Sequence, residues 1–200
     1  MIADYLNGEI EIAAWTIASL KEHVPVLIEM ADRIVKCLRA GGCVFTCGNG
    51  GSMAQAQHAV AELVGAFQNR GRSPFRAICL GTSAPTASAL GNDFSFKGAM
   101  ARELTGLAKE GDVLWCFSTS GESENVLAAA DAGGSLLGLT VLSFTRDPEP
   151  PLAKISDLAL CVTSDSTARI QEVHLLALHL VCGIIEQNSL EFADDSTRSA

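Results

Sequence analysis

The sequence predicts an α/β domain in which N-terminal helices precede a doubly wound, five-stranded parallel sheet. Three observations carry that expectation. Five short apolar runs alternate with segments of helical length between residues 43 and 187. The runs are apolar at nearly every position, which marks strands buried on both faces. Two of them end in turns rich in Gly and Ser, at the carboxyl ends where open parallel sheets bind ligands.

The elements follow in order. Over 2–40 apolar residues recur at threes and fours (Val24, Leu27, Met30, Ile34, Leu38), which predicts two helices breaking near 22–25 and stopped by Gly41-Gly42. A first strand over 43–47 closes in Gly48-Asn49-Gly50-Gly51, and 52–67 reads as a helix. A second strand over 77–80 leads into a Ser/Thr-rich stretch and a turn at Gly91-Asn92-Asp93. A helix over 96–109 ends at Gly111-Asp112, before a third strand over 113–117. A loop over 118–122 and a helix over 123–132 precede a fourth strand over 138–144. The fifth strand is expected over 158–162 and a long last helix over 168–187. Residues 1–40 are thus expected as oligomerisation helices, 41–191 as the sheet domain and 192–200 as a flexible, polar tail.

Bulk properties limit what such a domain does. Two hundred residues with 48% hydrophobic content suit one domain with a full core. A formal charge of −9 argues against nucleic acid as partner, since phosphate-backbone contact needs clustered Lys and Arg. Seven cysteines, odd in number and without CxxC spacing, read as reduced thiols of a cytoplasmic protein. No cationic start precedes an apolar stretch, and no run of about 20 uninterrupted apolar residues exists, so neither signal peptide nor membrane span is expected.

The two turns carry the first chemistry. Asn49, Gly50, Gly51 and Ser52 open one helix; Ser118, Thr119, Ser120 and Ser123 lead into another. Glycines let the backbone approach a ligand, and hydroxyls with N–H groups at a helix start can cradle a phosphate without lysine. Each turn alone is equally well read as N-caps and turn formers. The first lacks the Gly-Lys-Ser/Thr ending of a P-loop and the third glycine of a dinucleotide fingerprint, so no organic cofactor is expected.

Polar residues on apolar helices carry the second. His58 and Glu62, four apart, share a helix face. Gln171 and His179, eight apart, lie about 80° apart around the last helix. Buried without partners, such groups cost roughly 1–3 kcal/mol each. Any one of them can be a satisfied core or surface residue, and His174 is left in that class.

Six motifs then occur in order: Cys47-Gly48-Asn49-Gly50-Gly51-Ser52, His58 with Glu62-Leu63, Gly91-Asn92-Asp93-Phe94, Gly111-Asp112-Val113-Leu114, Ser118-Thr119-Ser120-Gly121 with Ser123, and Arg169-Ile170-Gln171-Glu172 with His179. Together, over roughly 40–187, they resemble the bacterial phosphoheptose isomerases, the sedoheptulose 7-phosphate isomerase family of SIS (sugar isomerase) domains. The resemblance implies a flavodoxin-like SIS fold, a homotetramer, a small phosphosugar substrate, and interconversion of sedoheptulose 7-phosphate with D-glycero-D-manno-heptose 7-phosphate. It implies Glu62 and His179 as the acid–base pair. Phosphate contacts fall on Ser52, Ser118, Thr119, Ser120 and Ser123, with Asn49, Gly50 and Gly51 beside them. Sugar contacts fall on Asn92, Asp93 and Gln171. It also implies His58, Glu62, Gln171 and His179 as ligands of a zinc ion found in some members.

The residue types suit the chemistry. Ketose-to-aldose conversion moves a proton between C1 and C2 through an enediol, so one group faces the carbons and another serves the oxygens. A carboxylate with an imidazole can do this, and His/Glu/His with a weak Gln is a plausible zinc set. The chain departs from the family at Ala66, where arginine is common, at Ala168, where some members are acidic, at Glu122, where Asn is usual, and over 81–85, where an Asp is often found. These departures bear on sugar specificity. Beside an isomerase acting on a related phosphosugar, two non-enzyme alternatives are a SIS-domain binding protein like the replication-initiator-associating protein, and a sugar-phosphate sensor. Glu62 and His179 favour an enzyme over the first, and no basic extension or helix-turn-helix supports the second.

Overall fold

The computed structural model describes residues 1–197, with side chains to residue 188. Five parallel strands form one sheet: β1 (Val44–Cys47), β2 (Ala77–Cys79), β3 (Val113–Phe117), β4 (Thr140–Arg146) and β5 (Leu158–Val162), in the order β2-β1-β3-β4-β5. The helices are α1 (Ile2–Ala18), α2 (Val24–Arg39), α3 (Gly50–Val64), α4 (Ala84–Asp93), α5 (Phe96–Leu107), α6 (Glu124–Asp131), α7 (Pro151–Lys154) and α8 (Thr167–Thr197). The expected doubly wound architecture holds. Its order reverses between β1 and β3, and the crevice at that reversal is where such sheets take ligands. Both Gly/Ser turns, after β1 and after β3, open onto it.

Alternation along the strands builds two cores. Val44, Val113, Trp115, Phe117, Leu142, Phe144, Leu160 and Val162 face α2, α3 and α8. Phe45, Cys47, Leu114, Cys116 and Val141 face α5, α6 and α7. Trp115, Phe117 and Phe144 pack as an aromatic trio with centroids 5.1–5.3 Å apart.

Two regions differ from expectation. The stretch ending at Gly91-Asn92-Asp93 is helical: it forms α4, capped by the Ser83 hydroxyl accepting from the Thr86 N–H, with Pro85 in the first turn. The N-terminal helices are not alike. Leu27, Met30, Ala31, Ile34 and Val35 of α2 are buried in the core against α8 and the sheet, so α2 covers its own sheet with that face, while Val24 and Ile28 stay exposed. Helix α1 leaves a longer row of large apolar residues in water, among them Ile2, Tyr5, Leu6, Ile10 and Trp15. A 3-10 segment at Ser19–His23 makes the expected break.

Helix α8 is long and apolar enough over Thr167–Asn188 to cross a membrane by length and composition alone. One face of it belongs to the core: Ile170, Val173, Ala177, Leu178, Val181, Cys182 and Ile185 are buried against α2, α3 and the sheet, while Leu175 and Leu180 are exposed. His174 lies in the same row, fully buried. Burial pushes its pKa down to about 4, although its Nε2 faces the Thr145 carbonyl at 3.1 Å. It is a neutral core residue. The tail expected over 192–200 overlaps the end of α8 through Thr197, and its last three residues lie outside the described ones. All seven cysteines are free thiols, and burial raises Cys182 to about 12.

Candidate active site

The turn after β1 is shaped by its glycines. A Cβ on Gly48 would lie 2.8 Å from the Ser52 backbone and 2.9 Å from the Phe117 carbonyl, so only glycine fits where α3 starts over the end of β3. Asn49 is the helix N-cap residue, and its side chain exchanges two hydrogen bonds of 2.8 and 2.9 Å with Asn125 of α6. That amide pair locks the first turn to the helix following the second. Asn125 is buried, and its one signal in the sequence is a polar residue opening the apolar run 125–130.

The two turns enclose a cavity of about 240 Å³ lined by Asn49, Gly51, Ser52, Ser118, Thr119, Ser120 and Ser123, with Phe117, Thr167 and Gln171. Seven expected cradle residues are therefore brought together; Gly50, the first residue of α3, does not line the cavity. Ser118 Oγ accepts from the Gly121 N–H at 3.0 Å and Ser120 Oγ from the Glu122 N–H at 3.2 Å, which sets the loop's curl. The Ser123 hydroxyl, at the N-cap of α6, makes no capping bond and is free for a ligand. The arrangement combines hydroxyls with the starts of α3 and α6, an anion-binding geometry that uses no lysine. Glu122, the carboxylate beside this loop, is turned towards Arg146, with Oε1 3.7 Å from its guanidinium.

Gln171 joins this cradle: its carboxamide lies 2.6 Å from where a Gly51 Cβ would stand. Gln55 pins the backbone there, its Nε2 donating to the Gln171 carbonyl at 2.6 Å.

A second group forms where α3 crosses α8. His58 Nε2 stands 2.9 Å from His179 Nε2 and 3.2 Å from Glu62 Oε1. Phe67, in the segment after α3, stacks on the His179 ring with centroids 5.7 Å apart and planes at 20°. His179 also lines an apolar cavity of about 500 Å³ with Phe67, Leu27, Ile28 and Leu180. The ligand atoms of His58, Glu62 and His179 all lie within 4.8 Å of one another, a spacing a tetrahedral metal ion can span. Two imidazole nitrogens facing each other need a proton or a cation between them, so three of the four implied zinc ligands fit. Gln171 is two helical turns from His179, about 12 Å along the axis, and its side chain lies in the cradle as the chain is folded.

Asn92 and Asp93 are not brought to either place. They lie exposed at the end of α4, where Asn92 Nδ2 donates to Asp93 Oδ1 at 2.8 Å.

A model of the SIS domain matches residues 11–145. The chain is 38% identical over 190 residues to the phosphoheptose isomerase of Roseiflexus sp. (strain RS-1), covering 95% of this chain and 94% of that protein. It is 38% identical over 183 residues to that of Rhodospirillum rubrum, with 92% and 96% covered. Among solved structures, a phosphoheptose isomerase from Francisella tularensis superposes with a TM-score of 0.89 at 33% identity, over 94% of this chain and 99% of that one. A phosphoheptose isomerase from Neisseria gonorrhoeae gives 0.87 at 30% identity, over 94% and 100%.

Proposed function

The chain belongs to the phosphoheptose isomerases of the SIS-domain family, and from that premise we propose that it interconverts sedoheptulose 7-phosphate and D-glycero-D-manno-heptose 7-phosphate. It is a sugar-phosphate isomerase. The observation that supports the substrate is the separation of two chemistries along α8: an anion cradle at Gln171 and a carboxylate–imidazole cluster at His179, about 12 Å apart along the axis. A long sugar phosphorylated at its last carbon has its charge and its reacting carbons at opposite ends.

With the phosphate held by Ser52, Thr119, Ser120 and Ser123 and the α6 start, C1 and C2 would reach Glu62 and His179. Glu62 takes the proton from one carbon and returns it to the other, while the imidazole moves the proton between the two oxygens. His58, in contact with both, keeps them at one place. His58, Glu62 and His179 would hold a zinc ion, which when bound supplies a Lewis acid for the carbonyl. Asn92 and Asp93 line neither the cradle nor the carboxylate–imidazole cluster of their own chain. The seven free thiols agree with a reducing, cytoplasmic setting.

Incubation with sedoheptulose 7-phosphate, followed by NMR, tests the substrate. The aldose phosphate is expected; conversion of other ketose phosphates but not this one would overturn the assignment. In the same assay Ser120→Ala with Ser123→Ala is expected to raise KM about tenfold or more, since a hydrogen bond to a charged group contributes roughly 1.5–3 kcal/mol. An unchanged KM would put the phosphate elsewhere.

We also propose a homotetramer in which α1 is an interface. The apolar row of α1 lies in water on one chain, with Trp15 68% exposed, and such a row on an isolated protein favours association. Light scattering at micromolar concentration is expected to show the tetramer. A stable, active monomer would defeat it.

A further inference from the structure

We propose that Glu186 and Arg72 are a positioning pair that holds both halves of the acid–base cluster, Glu62 on α3 and His179 on α8, in working register. The inference rests on Glu62 and His179 being that pair.

Between α3 and β2 the chain runs without helix or strand through residues 67–76, and its backbone groups need partners elsewhere. Glu186 supplies them. It lies seven residues beyond His179 on α8, so the two share a helix face. Its Oε2 accepts from the N–H groups of Gln68 at 2.7 Å and Asn69 at 2.8 Å. Its Oε1 accepts from the Phe67 N–H at 3.1 Å and from Arg72 Nε at 2.8 Å. Burial alone would raise the pKa of this carboxyl, but the Arg72 guanidinium and the three N–H groups outweigh it and hold the group below its usual range.

Arg72 works on the other side. Its Nη1 donates to the Leu63 carbonyl at 2.9 Å, its Nη2 to the carbonyl of Glu62 itself, and its guanidinium covers the Phe75 ring at 4.4 Å. It therefore closes the carboxyl end of α3 within the residues that carry the proposed base, where a cation is also favoured by the helix dipole. The two side chains are 5% and 7% exposed, so this is a dry, multiply bonded ion pair and not a surface contact. By fixing the Phe67 N–H, Glu186 also fixes the ring that stacks on His179. One buried carboxylate thus ties the imidazole's packing partner to the arginine that caps Glu62.

A loop staple with no catalytic consequence would lower stability and leave the chemistry alone. A positioning pair acts on kcat. Arg72→Lys keeps the charge but gives up the fork that reaches Glu186, Glu62 and Leu63 together, and Glu186→Gln keeps the shape without the charge. Both are expected to lower kcat about 10- to 100-fold with KM changed less than about threefold, because the phosphate cradle is elsewhere. Phe67→Leu leaves the ion pair in place and tests the claim should either change prevent folding; it is expected to lower kcat in the same KM-neutral way. In each folded variant the His179 ring signals in imidazole NMR are expected to shift, a readout that needs no substrate. Folded variants with kcat within twofold of the parent, or His179 signals that stay in place, would overturn the proposal. Shifted His179 signals in a protein whose parent does not isomerise sedoheptulose 7-phosphate would leave the positioning claim standing and remove the substrate instead.

Discussion

Glu62→Gln is expected to lower kcat about 100-fold or more, and His179→Ala to do the same, with the fold retained in both. Gln has the volume of Glu but accepts no proton, so the change removes the chemistry at Glu62 Oε1 and little else. That oxygen stands 3.2 Å from His58 Nε2, which in turn is 2.9 Å from His179 Nε2, so one imidazole connects the two groups. The carboxylate and the imidazole act on one enediol, one at carbon and the other at oxygen. Losing either stalls the same proton circuit, and the double variant is expected to be little worse than the poorer single one. KM is expected to change far less, because the phosphate would be held at Ser120 and Ser123, in the cradle that Gln171 lines about two turns of α8 away. Steady-state kinetics on purified variants checks both parts. Near-parent turnover in either single variant would remove that residue from the mechanism, and a loss carried mainly by KM would make it a binding residue.

How much of this was legible in the sequence depends on whether a signal was local. Strands over 113–117 and 158–162 are legible to the residue, since a short run apolar at every position has few alternatives in a parallel sheet. Helix α4 was missed although its cap was legible: Ser83-Ala84-Pro85 is a helix start, and Gly91-Asn92-Asp93 outweighed it as a turn signal. What α2 packs on is not legible for another reason. Periodicity shows that a helix has an apolar face, but not whether its own sheet or a second copy covers it.

The candidate site divides in the same way. His58 with Glu62 follows from i,i+4 spacing, and the cradle from two Gly/Ser turns at strand ends. His179 could be joined to them only through the family resemblance, because α3 and α8 meet from opposite ends of the chain. Arg72 and Glu186, 114 residues apart, left no local trace beyond a carboxylate in the apolar run 184–186. The motif of Gln171 allowed both a sugar contact and a metal ligand, and packing against Gly51 places the residue in the cradle.

Gly121→Ala is expected to lower Tm by about 10 °C and to raise KM at least about tenfold, from two causes that a control separates. Gly121 has φ +65°, where any other L-residue costs roughly 1–2 kcal/mol. A Cβ there would also overlap the Pro150 ring and stand 2.6 Å from Thr145 Oγ1, at the end of β4. Forcing such contacts costs typically about 1–3 kcal/mol more. For a domain of this length, each 1 kcal/mol shifts Tm by roughly 2–4 °C. The consequence for binding follows from what the residue holds. The Gly121 N–H donates to Ser118 Oγ, and its carbonyl accepts from the Leu152 N–H at 3.1 Å, tying the cradle to α7. A loop pushed off Pro150 would carry Ser118, Ser120 and the α6 start away from the phosphate position. Gly111 is the control: it has φ +87°, and a Cβ there would meet nothing within 4 Å, so Gly111→Ala carries only the backbone cost and should leave KM unchanged. Thermal denaturation with KM determination on both variants decides the matter. Equal losses of stability in the two would show that the crowding at Pro150 is relieved without cost, and an unchanged KM in Gly121→Ala would detach this loop from substrate binding.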